Sequence, residues 1–396
     1  MAFDLDRVRA DFPSLTAGLA QFDSPGGTQT PRPVIDAIAD SLAAPLSNRG
    51  RQNLAQRNAE TIVQRARSAM ADLVKGDPGG IVFGRSATQL SIDFAELLAR
   101  DWTPGDEIVV TRLDHDANIR PWVIAAERVG ATVRWADFDP STGTLDPDQI
   151  GSLLTPRTRL VAVTAASNLI GTQPDVAAIG RLAHGVGALF WVDGVHYTAH
   201  TLVDIAELGA DFFVCSPYKF LGPHHGVLVA APALLATLHP DKLLPATDAV
   251  PERFELGTLP YELLAGTTAA VDYLADLAPT AGHRRERLVA SLGASHEHEA
   301  HLGSRIERGL AELGATVYSR APRRTSTILF DLPGVAAATV AERLAAVGVN
   351  APAGHFYALE ASRRLGLGDT GAVRVGIAPY NDDTDVDRLL AGLAAL

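Results

Sequence analysis

Phe190-Trp191-Val192-Asp193-Gly194-Val195-His196 and Val214-Cys215-Ser216-Pro217-Tyr218-Lys219-Phe220-Leu221-Gly222-Pro223 decide how this chain folds. The first is an apolar run that ends on a carboxylate and a glycine. The second leaves another apolar run and delivers a lysine among aromatic and small residues. Outward from this pair the same rhythm repeats, with short β-rich runs alternating with stretches of helical period. Strands are predicted at Ile81 to Phe83, Glu107 to Thr111, Thr132 to Ala136, Leu160 to Ala165, Leu189 to Asp193, Asp211 to Cys215 and Gly226 to Ala230. Helices are predicted at Thr88 to Arg100, Ile119 to Val129, Val176 to His184 and Val203 to Glu207. The pattern is that of an α/β domain with a mainly parallel seven-stranded sheet covered by helices.

From Pro279 to Arg287 the pattern changes. A long polar-faced helix runs from Arg285 to about Leu313, followed by a strand (Thr325 to Asp331), a helix (Ala337 to Val347), a strand (Ala372 to Ile377) and a last helix (Thr384 to Leu396). This predicts a large domain over 15–280 and a smaller α+β domain over 281–396, with an N-terminal segment, 1–14, joined to the latter. With 396 residues, 47% hydrophobic and 20% charged, the chain can bury a sizeable core. Its net charge of −12 opposes binding to a nucleic-acid backbone or an acidic membrane surface, so neither partner is expected. No apolar stretch approaches the roughly 18 residues that span a bilayer. A single cysteine, Cys215, excludes an internal disulfide framework and a Cys-rich zinc site. It fits a reducing compartment, and the acids among the first residues are unlike a signal peptide, so a cytoplasmic location is expected.

Only three of the 34 basic residues are lysines: Lys75, Lys219 and Lys242. Lys75 precedes a Gly/Asp/Pro turn and Lys242 sits in a Pro-bounded loop. Lys219 alone has an apolar setting. Such a lysine can simply lay its stem along apolar surface, or be desolvated enough to act as a nucleophile that holds a carbonyl cofactor as an imine. Asp193 can likewise cap a turn, or occupy the strand end where α/β sheets bind ligands. Together the two form the pair that pyridoxal phosphate requires, an amine for the carbonyl and a carboxylate for the pyridine nitrogen.

Four motifs then become recognisable: Asp114-His115-Asp116-Ala117-Asn118 with Trp122, Ser167-Asn168 with Gly171-Thr172, Val192-Asp193-Gly194, and Ser216-Pro217-Tyr218-Lys219 with Gly222-Pro223. In their order and spacing the chain resembles, nearly end to end, the class V aminotransferase group of fold-type I pyridoxal-phosphate enzymes. Within that group it is similar to the cysteine desulfurase-like branch, which also contains selenocysteine lyases. The resemblance implies pyridoxal 5′-phosphate as cofactor, an amino acid substrate and a homodimer whose active sites are shared between subunits. It implies that Lys219 carries the cofactor, Asp193 pairs with the ring nitrogen, and His115 stacks on the ring. Asn168 and His196 would lie near the phenolic oxygen, where the desulfurases usually have Gln in place of His196. Ala87, Thr88, Ser216 and Tyr218 would hold the phosphate, Tyr218 standing where the family usually has His. Thr258 would reach the phosphate of the second subunit. Arg374 would clamp the substrate carboxylate, for which a planar guanidinium fork is suited.

One departure limits the functional reading. Desulfurases carry a nucleophilic cysteine on the loop before that arginine; here the stretch is Ala351-Pro352-Ala353-Gly354-His355-Phe356-Tyr357-Ala358, with Tyr357 at the cysteine's place and Pro352 where the desulfurases have an arginine. Persulfide relay is therefore not expected. The chemistry that remains is elimination across the α- and β-carbons of cysteine or an S-substituted cysteine, a carbon-sulfur lyase reaction, with Tyr357 or His355 protonating the departing sulfur. Decarboxylation-coupled oxidative deamination, desulfuration, transamination and epimerisation are alternatives, as is a non-catalytic protein that retains the fold. His296-Glu297-His298-Glu299-Ala300-His301 looks metal-like but reads as a solvated helical face, and His196 and His200 lack an evident third ligand; no metal is expected.

Overall fold

The computed structural model describes residues 4–396. Its seven-stranded sheet comprises β1 (Ile81–Gly84), β2 (Glu107–Thr111), β3 (Thr132–Ala136), β4 (Thr158–Thr164), β5 (Leu189–Asp193), β6 (Phe212–Cys215) and β7 (Gly226–Ala230), in the order β1-β7-β6-β5-β4-β2-β3. All neighbours are parallel except β7, which runs antiparallel to β1 and β6. The expected fold class is observed. The strands lie within one or two residues of their expected positions, because each is an apolar run bounded by turn residues. Val82, Leu160, Trp191, Phe212 and Leu228 face one layer of the core, and Ile81, Val161, Val192, Phe213 and Val229 face the other. This two-sided burial is what helices on both faces produce.

Periodicity misses the three helices of 12 to 21 residues α1 (Arg32–Ala43), α2 (Leu54–Val74) and, later in the chain, Tyr261–Ala275, together with several shorter ones. They follow or precede the helices that flank the site, α3 (Ala87–Leu98) and α4 (Arg120–Val129). The 29-residue helix α5 (Arg284–Glu312) connects the two parts of the molecule. Its Leu288 and Leu292 pack into the main core and its Leu302, Ile306 and Leu310 into the small-domain core.

The smaller domain holds a four-stranded antiparallel sheet rather than the two expected strands: β8 (Thr316–Val317), β9 (Thr327–Asp331), β10 (Ala353–Gly354) and β11 (Ala372–Gly376), ordered β10-β11-β9-β8. The N-terminal segment serves both parts. Val8 and Phe12 pack in the main core, whereas Ala20 and Phe22 pack in the small-domain core, where Ala20–Gln21 pairs with Val349–Asn350. No helix among the described residues is long and apolar enough to cross a membrane.

Candidate active site

A cavity of about 780 Å³ opens at the carboxyl ends of β4, β5 and β6, where the sheet meets the smaller domain. That volume is in the range of cofactor and small-molecule sites. Asp193 ends β5, its backbone paired with Thr164 of β4 and Val214 of β6, so a ladder on each side fixes its position. Gly194 then turns the chain, and a Cβ there would fall 1.9 Å from the Phe213 ring, so only glycine fits. The Asp193 carboxylate is 7% exposed and accepts the Val195 N–H at 2.8 Å. Burial pushes its pKa up to about 6, against the opposing pull of that hydrogen bond and of the Lys219 charge.

One strand along the sheet, β6 ends at Cys215. A single 3₁₀ turn, Pro217–Lys219, carries the lysine into the same cavity. Its amine donates to the carbonyls of Pro25 and, at 2.9 Å, Gly26, and lies 4.7 Å from the Tyr218 ring. Burial and then the Arg374 charge lower its pKa to about 7, while Asp23 and Asp193 pull the other way. An amine that releases its proton near neutrality can serve as nucleophile and as base.

The His115 loop leaves β2 and is shaped by Asp114, a fully buried carboxyl that accepts from the Thr111 hydroxyl and from Asn118 Nδ2 at 2.6 Å. His115 Nδ1 accepts the Ala117 N–H at 3.0 Å, so a neutral ring carries its proton on Nε2. Burial, reinforced by the Lys219 charge, lowers its pKa to about 4 and keeps the ring neutral. At another edge of the cavity Ser86 caps α3 by accepting the Gln89 N–H at 3.0 Å, and Ala87 and Thr88 present the unpaired N–H groups of the first helical turn. Gly226 of β7 packs against this turn; a Cβ there would fall 2.3 Å from the Ser86 backbone. Ser216 and Tyr218 line the same cavity.

The smaller domain supplies the facing wall. Arg374 in β11 is 1% exposed, donates from Nη1 to the Asn168 carbonyl at 3.0 Å, and pairs through Nη2 with Asp23. The Phe356 ring covers its guanidinium at 3.7 Å. Phe356 and Tyr357 both have left-handed backbone, φ 49° and 60°. Asn168 Nδ2 donates to the Phe356 carbonyl at 2.9 Å and the Asp116 N–H to the Tyr357 carbonyl at 2.8 Å, so hydrogen bonds from the large domain hold the turn. The Tyr357 ring stacks on His115 with centroids 5.5 Å apart.

Of the residues singled out from sequence, Ala87, Thr88, His115, Asn168, Asp193, His196, Ser216, Tyr218, Lys219, Tyr357 and Arg374 line this one cavity. Thr258 stands on an exposed loop outside it, and His355 lies just behind the lining, accepting the Tyr357 N–H at 3.2 Å. Two residues at the site escaped the sequence reading. Asp23 stands more than three hundred residues before Arg374, and Phe356 stands beside Tyr357, but nothing in the sequence shows that both reach Arg374. Cys215 is fully buried in the core with its thiol pushed up by burial, and it does not line the cavity. The reading of residues 296–301 as a wholly solvated face needs correction: Glu299 is 1% exposed and pairs with His200 at 2.7 Å, because that face of α5 packs against the end of β5's following turn. Among the described residues no cluster of three or more His, Cys, Asp or Glu could hold a metal ion.

The arrangement fits pyridoxal phosphate. Asn168 Oδ1, His196 Nδ1 and Arg374 Nε are buried without a protein partner among the described residues, and all three belong to lining residues. Buried polar atoms left open in this way mark a place for a polar ligand. An enclosed amine, a carboxylate at a strand end, a neutral imidazole and a helix N-terminus around one cavity are the groups that a pyridoxal-phosphate site of the large α/β type calls for.

Comparison with known proteins narrows the class. The class-V aminotransferase family model matches residues 20–389, and this chain belongs to that family. It is 35% identical to Uncharacterized protein MT3887 of Mycobacterium tuberculosis over 407 residues, covering 100% of both chains. It is 32% identical to a probable cysteine desulfurase of Pseudomonas aeruginosa, covering 97% of this chain and 96% of that one. The crystal structure of the cysteine desulfurase CsdA from Escherichia coli superposes with a TM-score of 0.89 at 28% identity, covering 100% of this chain and 98% of that chain. The protein is a pyridoxal-phosphate-dependent enzyme with the fold of the cysteine desulfurases.

Proposed function

We propose that this enzyme is a carbon-sulfur lyase that eliminates a thiol from cysteine or an S-substituted cysteine. The observation that carries the reading is the Phe356–Tyr357 turn: the loop facing the cofactor amine presents a tyrosine, and the sole thiol, Cys215, is sealed in the core away from the cavity. Bound pyridoxal phosphate supplies the sink for the electron pair left on the α-carbon. Lys219 holds the cofactor and its freed Nζ, with basicity lowered towards 7, accepts the α-proton. Asp193 keeps the ring nitrogen charged, His115 packs on the ring as a neutral imidazole, and Ala87, Thr88, Ser216 and Tyr218 anchor the phosphate. Arg374 binds the substrate carboxylate, oriented by Asp23, Asn168 and Phe356.

The Cα–H bond breaks towards Lys219, the Cβ–S bond breaks, and the thiolate leaves with a proton from the Tyr357 hydroxyl or from His355. The three-carbon fragment is released and hydrolysed to pyruvate and ammonia. In this reading the enzyme works as a cytoplasmic homodimer, with Thr258 of each subunit completing the phosphate site of the other. Incubation with S-alkylcysteines should yield pyruvate and free thiol in equal amounts. Recovery of carbon dioxide or an aldehyde would instead assign decarboxylation-coupled deamination, and alanine with a protein persulfide would assign desulfuration.

A further inference from the structure

His200 and Glu299 belong to two motifs that look like metal ligands in the sequence, and in the fold they meet. His200 Nδ1 lies 2.7 Å from Glu299 Oε2, and Glu299 Oε1 accepts from the Ser295 hydroxyl at 3.0 Å. All three residues are 6% exposed or less. The His200 ring stands edge-on to the His196 ring, centroids 4.7 Å apart. His196 is in turn held at Nε2 by the hydroxyls of Thr325 and Thr327, each at 3.0 Å, which leaves Nδ1 without a partner in a residue that lines the cavity.

A carboxylate can only accept, so the His200 nitrogen facing Glu299 carries a proton and that ring is fixed in position and tautomer. A fixed His200 gives His196 one wall to pack against, and the two threonines give it one anchor. Thr325 and Thr327 also bond each other at 3.2 Å, and a hydroxyl of the pair can donate to His196 Nε2, the arrangement in which the ring proton sits on Nδ1. Burial holds the His196 ring neutral, reinforced by the neighbouring His200 and by the charges of Lys219 and Arg374.

We propose that Glu299 and His200 are positioning residues which, through His196, aim a neutral N–H at the ring oxygen of bound pyridoxal phosphate and thereby set the ionisation of the cofactor held by Lys219. The role does not depend on which substrate bond is later broken. It gives α5, the helix shared by both cores, a direct line to the cofactor. The charged and titratable groups facing this train are Lys219, Arg374 and His200 around His196, with Glu299 behind His200; Tyr380 also feels the Glu299 charge.

The test is a double-variant cycle on the pH midpoint of visible absorption of the purified holoenzyme, read without substrate. Losing the N–H donor to the ring oxygen makes the neighbouring proton harder to remove, so H196A should move the midpoint to higher pH. E299Q should move it the same way by half a unit or more, about threefold in proton affinity. The double variant should move it no further than H196A alone. H200Q enters the same cycle if E299Q fails to load cofactor. A direct field effect of Glu299 would shift the midpoint to lower pH in E299Q, a purely structural role would change only the melting temperature, and independent action would make the shifts add. Each of these three results overturns the proposal.

Discussion

The two walls of the cavity are built by opposite means. On one side Asp193, Ser216 and Lys219 stand at or just past strand ends whose neighbours hold them through a continuous ladder. On the other, Phe356 and Tyr357 sit in backbone conformations that side-chain-bearing residues rarely adopt, held by hydrogen bonds from Asn168 and Asp116. The ladder costs nothing locally. The turn stores strain of the order of 1–3 kcal/mol per residue, which persists only because its surroundings over-determine it. On the proposed function the sheet wall carries what every reaction of this cofactor needs, and the strained wall carries what separates this enzyme from a sulfur-relaying relative.

The largest effect expected is on the sheet wall. Lys219→Ala should reduce turnover about a thousandfold or more and abolish visible absorption by the purified protein, because both the amine that holds the cofactor and the base are removed. Retention of colour with lost activity would move the cofactor linkage elsewhere. On the facing wall Arg374→Lys should lower kcat/KM about a hundredfold, mostly through KM, since an ammonium keeps the charge but loses the planar fork and the Phe356 stack. A loss confined to kcat would take Arg374 out of carboxylate recognition.

The sheet wall also predicts an unusual pH dependence for the cofactor-free protein. In the fold Asp193 keeps its proton to about 6 whereas the unfolded chain loses it near 3.8, which lowers stability as pH rises through that window, but His115, whose proton the fold releases near 4 instead of 6.5, acts oppositely over the same range. Lys219 releases its proton near 7 in the fold but near 10.5 when unfolded, so stability should climb from 7 towards 10.5. Thermal melts should show the melting temperature climbing from pH 7 upward, and Lys219→Met should flatten that limb and raise the melting temperature at pH 7. A melting temperature that does not rise above pH 7 in the cofactor-free wild type would mean the cavity is far better hydrated than its walls suggest.

This contrast also explains which parts of the molecule can be read from sequence. Strands such as Leu189–Asp193 are apolar runs that end on a residue with a job, and they are legible because burial and turn chemistry agree. The helix Leu54–Val74 buries Ala59, Val63, Ala66, Met70 and Val74 at helical spacing, but its arginines and glutamines mask the stripe. The two-residue strands β8 and β10 exist only because β9 and β11 offer partners, so no local propensity announces them. At the site the same division holds. Lys219 and Asp193 are legible from their settings, whereas the burial of Glu299 depends on His200, a hundred residues distant in sequence. The left-handed Phe356–Tyr357 turn contains no Gly, Asn or Asp to signal it.

The smallest effects sharpen the strained wall itself. Tyr357→Phe removes a proton donor but leaves the ring on His115, and with His355 adjacent the loss in kcat should be about tenfold. Strain is isolated by comparing Tyr357→Ala with Tyr357→Asn. Both remove the ring and its stacking, so the lost contact with His115 cancels between them. Asn tolerates φ near 60° because its short polar side chain bonds locally, whereas Ala meets the full clash of Cβ with the backbone. The Asn variant should therefore be the more stable of the two by about 0.5–1 kcal/mol, a degree or two in melting temperature. Equal melting temperatures would show that the turn relaxes once the tyrosine is gone. In that case the ring holds the backbone in its strained form, and the bonds from Asn168 and Asp116 alone do not.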